Sequence, residues 1–193
     1  MTRVILGAAM LSVAAAAHPA DAQPRAIDAK QSTVTVRVFK SGVFRAFGDD
    51  HTIDAPLAGG TIDDSATPGV SLAIDVRTMR VRDPGLSPDD RADVQTRMLG
   101  PDVLDADRFP QIRFRSTTVQ KGEGDRWSVR GELEVHGQTR QVTVSVIPND
   151  GHYKGSASFK QSEFGITPIS IAGGTVKVKD EIKIDFDIVA AGP

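Results

Sequence analysis

Cysteine is absent from all 193 residues, so the chain folds without disulfides. The same absence excludes a lipoprotein, because no cysteine follows the leader described below. A surplus of either charge is also lacking. The 23 basic and 25 acidic residues leave a formal net charge of −2. Nothing in that balance favours nucleic acid or an anionic membrane surface. Long apolar runs are confined to the first residues. Residues 4–17 are apolar apart from Gly7 and Ser12, and they follow Arg3. Ala20-Asp21-Ala22 then puts small residues at −3 and −1 before Gln23. These are the parts of a secretory signal peptide over 1–22. The run is too short for a membrane span. The expectation is a periplasmic or secreted protein whose mature chain, 23–193, is a single domain without a transmembrane helix.

Catalytic groupings are equally scarce. Past the leader the histidines are His51, His136 and His152, and none has a second histidine or a cysteine at metal-ligand spacing. Ser156 and Ser158 alternate along a strand pattern and sit in no nucleophile elbow. Asp49-Asp50 reads as a solvated loop, and Asp89-Asp90 as the first turn of a helix, so neither argues for paired acid–base work. Gly59-Gly60 and Gly173-Gly174 read as strand bends or loops. No metal, no catalytic site and no enzymatic activity are expected.

What the chain has in quantity is alternation. Val34, Val36 and Val38 share one face of a first strand, with Thr35 and Arg37 opposite. His51 to Ala55 and Leu57 to Ile62 form two short strands parted by Pro56. Val70, Leu72, Ile74 and Val76 share the next face. Trp127, Val129, Leu133 and Val135 line another, with Gly131 among them as at a bend. Val142, Val144 and Val146 return after a His136-Gly137 turn, and Asp150-Gly151 signals a further hairpin. From Val176 to Ile188 the even positions are apolar and the odd ones charged, unless Asp180 turns the chain. The one helix runs over 87–99: Ser87 is an N-cap, Pro88 fits N1, and two aspartates follow at the positive dipole end. Between helix and strands lies the hinge 103–118, VLDADRFPQIRFRSTT, in which Ile112 and Phe114 begin a wall strand. About eight alternating strands predict an antiparallel β-barrel with one short helical insert, the hinge closing one end. Periodicity alone leaves open whether that barrel is hollow or filled.

Several stretches resemble one family in its own order. They are AIDAKQSTVTVRV, VLDADRFPQIRFRST, GELEVHGQTRQVTVSV, FKQSEFGI and GGTVKVKDEIKIDFDI. Together they resemble the YceI-like family of exported, lipocalin-like, polyisoprenoid-binding proteins. FRAFGDDHTIDAPLAGG and the helical insert depart from its usual pattern. The resemblance implies an all-β, extended eight-stranded antiparallel lipocalin-like barrel with an elongated apolar cavity. It implies a long amphiphile held non-covalently: an isoprenoid quinone, a polyprenyl lipid or a fatty-acid derivative.

The expected lining is Val36, Val38, Leu72, Ile74, Ile112, Phe114, Trp127, Val129, Leu133, Val144, Phe159, Ile184 and Phe186 on strands. Phe39, Phe44, Phe47 and Phe164 join it from outside the clean strands, where plugging one end is the other reading. His51 and Arg97 are the head-group candidates, and Arg113 and Arg115 face outward. The expected role is a lipid carrier or reservoir, handing cargo to a membrane-bound enzyme or transporter and assembling as an isologous dimer. The alternative is a filled barrel acting as a stress-response or protein-interaction module.

Overall fold

The computed structural model describes residues 23–41, 50–171 and 176–192. The leader 1–22 and the loop phenylalanines Phe44 and Phe47 lie outside the described residues. In chain order the strands are β1 (Arg25–Ala26), β2 (Thr33–Ser41), β3 (His51–Asp54), β4 (Leu57–Asp63), β5 (Gly69–Asp75), β6 (Arg80–Val81), β7 (Gln111–Lys121), β8 (Trp127–Val135), β9 (Gln138–Asn149), β10 (His152–Lys160), β11 (Ser170–Ile171) and β12 (Val176–Val189). Helix α1 (Pro88–Leu99) separates β6 from β7.

Every pairing is antiparallel, and the order is β1-β4-β5-β7-β8-β9-β10-β12-β2-β3-β6, with β11 branching from β12. This corrects the expected closed, eight-stranded barrel. The sheet is curled and open, with eleven strands along its path. The reason lies at Pro56. β3 pairs with β2, whereas β4 pairs with β5. Proline has no N–H to donate, so one continuous ladder cannot pass through it. At that corner the wall continues through the chain itself instead of through hydrogen bonds. The segment after β1 meets the end of β12 at a single bridge, Ile27 to Ala190. Two hydrogen bonds flank it, Asp28 N–H to the Val189 carbonyl at 2.8 Å and Ala191 N–H to the Ala26 carbonyl at 2.7 Å.

Two glycines let the sheet bend under aromatic rings. A Cβ on Gly131 would lie 2.5 Å from Cζ of Phe114, and one on Gly155 would lie 2.6 Å from Cζ of Phe186. Both rings occupy the space that the missing side chains leave. The two predicted tight turns form as expected. His136 and Gly137 have φ of 50° and 69°, and Asp150 and Gly151 have φ of 48° and 77°. That pair of positive values is the type I′ signature that matches strand twist.

The helix starts as its sequence dictates, with Ser87 Oγ accepting the Asp90 N–H at 3.1 Å. Its C-terminal end is tied into the hinge. The Asp105 N–H donates to the Gly100 carbonyl at 2.8 Å, and Leu104 N–H to the Met98 carbonyl at 3.1 Å. Met98 and Leu104 are thereby buried against the sheet. On β12 the even positions keep facing inward, but the register against β2 shifts between Val178 and Ile182. Asp180 sits within that irregularity and accepts the Ser162 N–H at 2.9 Å. It thus anchors the 3-10 turn Gln161–Phe164.

Replacing Gly155 with alanine is expected to lower stability by about 1–3 kcal/mol through overpacking against Phe186 and the Ser145 carbonyl. Gly85, with open space around it, is the control: Gly85→Ala should change stability by less than about 0.5 kcal/mol. Urea midpoints at unchanged m-value measure both, and equal midpoints would remove the proposed reason for glycine at the bend.

Candidate functional site

The inward faces of the curled sheet enclose an apolar cavity of about 230 Å³. Most expected positions border it: Val36, Val38, Leu72, Ile74, Ile112, Phe114, Trp127, Val129, Leu133, Val144, Phe159, Phe164, Ile184 and Phe186. Val36, Val38, Leu72, Ile112, Val144, Ile184 and Phe186 face inward yet are only partly buried. In a filled barrel these mid-wall side chains would be among the best covered. Their residual exposure is the local sign of hollow space. The volume exceeds the ~150 Å³ at which an engineered apolar cavity stays dry and accepts a small hydrocarbon.

Phe39 does not border the cavity. It follows Val38 on β2, so the strand's period of two turns it outward. There the ammonium groups of Lys179 and Lys183 lie 5.8 and 5.9 Å from its ring centroid. The two head-group candidates also lie away from the cavity. His51 Nδ1 is 2.5 Å from Asp83 Oδ2, and Asp83 in turn accepts the Thr52 N–H at 2.7 Å. Arg97 is exposed in the last turn of α1. Arg113 reaches Glu134 at 3.3 Å on the outer face, as its phase requires.

The two ends of the cavity differ. At the hinge end Phe164 is 0 % exposed, and its ring meets that of Phe159 edge-on at 5.1 Å. Met79, Met98, Val103 and Leu104 complete that end. Gln161 is its polar member, and its side-chain amide donates to the Lys179 carbonyl at 2.8 Å. At the opposite end Trp127 and Tyr153 lie with ring centroids 6.2 Å apart. The Tyr153 hydroxyl donates to Asp64 Oδ2 at 3.1 Å and accepts from Arg25 Nη2 at 3.1 Å. Arg25 and Asp64 close the triangle at 2.7 Å. Burial holds the Tyr153 phenol above its usual value near 10, and the Asp64 carboxylate pushes the same way against Arg25.

Sequence reasoning missed this triangle. Tyr153 shares the odd, inward phase of β10 with Ala157 and Phe159, which was available as a signal. Arg25 and Asp64 lie on other parts of the chain, and no local pattern joins them to Tyr153. Among the described residues, no three His, Cys, Asp or Glu side chains gather as a metal site. No helix among them is long and apolar enough to cross a membrane.

Residues 26–190 match the family model of the YceI-like domain. A UPF0312 protein from Shewanella denitrificans is 30% identical over 95 residues, which are 44% of this chain and 49% of that relative. The match therefore spans about half the length of that relative. Among solved structures, Burkholderia cenocepacia BcnA superposes with a TM-score of 0.67 at 22% identity, over 86% of this chain and 99% of its own. A Campylobacter jejuni YCEI protein gives 0.53 at 12% identity, over 69% and 81%. At such identities the two structures speak to fold alone, and they share the curled antiparallel sheet of this chain.

Tyr153 is the one tyrosine of the chain, so its ionisation can be followed by absorbance without interference from another phenol. The folded protein should titrate above 10 and the denatured chain near 10. Because the folded pKa is the higher, the contribution to stability is complete below pH 10 and is lost as pH rises through the folded value. A folded midpoint at or below the denatured one would contradict the burial and the Asp64 contact.

Proposed function

This chain belongs to the YceI-like family, and from that premise we propose that it is an exported binding and carrier protein for a long-chain amphiphile. An isoprenoid quinone, a polyprenyl lipid or a fatty-acid-like molecule would lie with its tail in the cavity. The observation that carries this reading is the hollow itself: inward side chains that are apolar, only partly buried and grouped round about 230 Å³. Tail burial supplies the affinity. Each methylene removed from water contributes about 0.8 kcal/mol, so a long chain binds tightly with few polar contacts. Directional bonds are needed only to fix the head.

The protein would act in the periplasm or outside the cell after loss of residues 1–22, shielding its cargo between membrane-bound donors and acceptors. No chemistry is asked of the cavity wall, whose polar atoms are few and hydrogen-bonded. A filled barrel serving only protein contacts would have no use for partly exposed valines on its inner face.

The test begins with the mature chain purified from its host, extracted with organic solvent and examined by native and denaturing mass spectrometry. A co-purifying long-chain lipid is the expected result. Ile112→Trp places an indole across the middle of the cavity and should weaken binding roughly tenfold or more, with the fold retained by circular dichroism. Repeated absence of lipid, together with no uptake of added prenyl or acyl lipids, would overturn the carrier reading.

A further inference from the structure

We infer that the Arg25–Asp64–Tyr153 triangle is the head-group subsite, and that it selects an uncharged, oxygen-bearing head such as an alcohol, ketone, ester or amide over a carboxylate or phosphate. The inference rests on the carrier reading and gives it a direction: head at the Trp127 end, tail toward Phe159 and Phe164.

The choice of end follows from the donors that remain. Gln161, at the hinge end, spends its amide N–H on the Lys179 carbonyl. At the other end Arg25 uses only Nη2, which serves both Asp64 and Tyr153. Its Nε and Nη1 have no protein partner among the described residues, and the Arg25 side chain is 28% exposed. A guanidinium offers five N–H donors, so three remain for a ligand oxygen. The Tyr153 oxygen has given its proton to Asp64 and accepted one from Arg25, which leaves one lone pair for a ligand donor. Tyr153 borders the cavity, while Arg25 and Asp64 reach solvent. The triangle therefore joins the apolar interior to water, where an amphiphile's head belongs.

The choice of charge follows from what surrounds the cluster. Its cations are Arg25 and Lys121, the latter 4.9 Å from the Trp127 ring centroid. Its carboxylates are Asp64 and Asp63, and Asp63 also borders the cavity. Asp64 already neutralises Arg25 at 2.7 Å. Among the described residues the Lys121 ammonium has only the Trp127 ring as a contact, and with Asp63 beside it the two cations and two carboxylates sum to zero. A charged head entering here would therefore lose hydration at a cluster of no net charge. An alcohol or carbonyl loses far less and still finds the free guanidinium donors.

The chain's single tryptophan, Trp127, borders the cavity beside Tyr153, so its fluorescence reports on this end. Titrating the mature chain with oleyl alcohol, oleate and oleyl phosphate at pH 8 compares heads on one tail. The alcohol should bind roughly tenfold or more tightly than either anion. Asp64→Asn leaves Arg25 uncompensated and should move the alcohol-to-oleate ratio at least ~5-fold toward oleate, while Arg25→Gln should move it the other way. Circular dichroism verifies folding of each variant, and the opposed signs guard against a merely structural effect. Equal binding of the three heads, or a ratio that neither variant moves, overturns the subsite while leaving the carrier reading intact. Binding of none of them, by wild type or variants, overturns both.

Discussion

Backbone hydrogen bonding along the ladder fixes side chains at alternate positions on opposite faces, and the interior of this protein depends on that constraint. Once β12 pairs with β10 and β2, its even residues have nowhere to point but inward, and its lysines and aspartates nowhere but out. The outward row then pairs across strands, as Arg37 does with Asp185 at 2.8 Å. Curvature comes from places where the ladder yields. Gly131 and Gly155 admit a phenylalanine ring over bare backbone, Pro56 interrupts pairing, and β12 shifts register before Ile182. Each local concession turns the sheet further round its apolar face. The helix and hinge then seal one end with Met98 and Leu104, which the sheet alone could not cover.

The phase of the long strands was legible because period two is carried by residue type alone. Val36, Leu72, Ile112, Val144 and Ile184 fell on the inner face for that reason. The helix was legible because its start signals are contiguous: cap, proline and two aspartates. Closure was not legible. The partner change at Pro56 is a matter of which strand lies on each side, and no local pattern encodes it. β1, β6 and β11 have two residues each, too short to show any period. Phe39 was misplaced because its aromaticity was weighed above its phase, and the phase prevailed. His51 was taken for a rim residue, but its partner Asp83 comes from a distant loop. The triangle at Tyr153 was missed for the same reason, since its three members meet only in the folded chain.

A hollow of this kind is in tension with stability. Unfilled apolar volume forfeits dispersion contacts at about 24 cal/mol per Å³. For about 230 Å³ that is on the order of 5 kcal/mol, a large share of the 5–15 kcal/mol by which folded domains typically exceed their unfolded states. The ladder sustains it: long pairings such as β7 with β8 and β10 with β12 hold the wall without needing a filled centre. The tight ends supply the rest, with Phe164 wholly buried at one and Ile62, Val146 and Ile188 buried at the other. The deficit sits in the middle, where an occupant restores the missing contacts. Under the proposed function, binding and folding are thereby linked. A ligand that enters only the folded state raises its stability with concentration, and the largest gain comes from a molecule long enough to fill the cavity from the Trp127 end to the Phe164 end. Under the proposed binding mode, length of tail, more than identity of head, would set how much of the deficit is recovered, while the few polar atoms at the Tyr153 end would govern which way round the molecule lies.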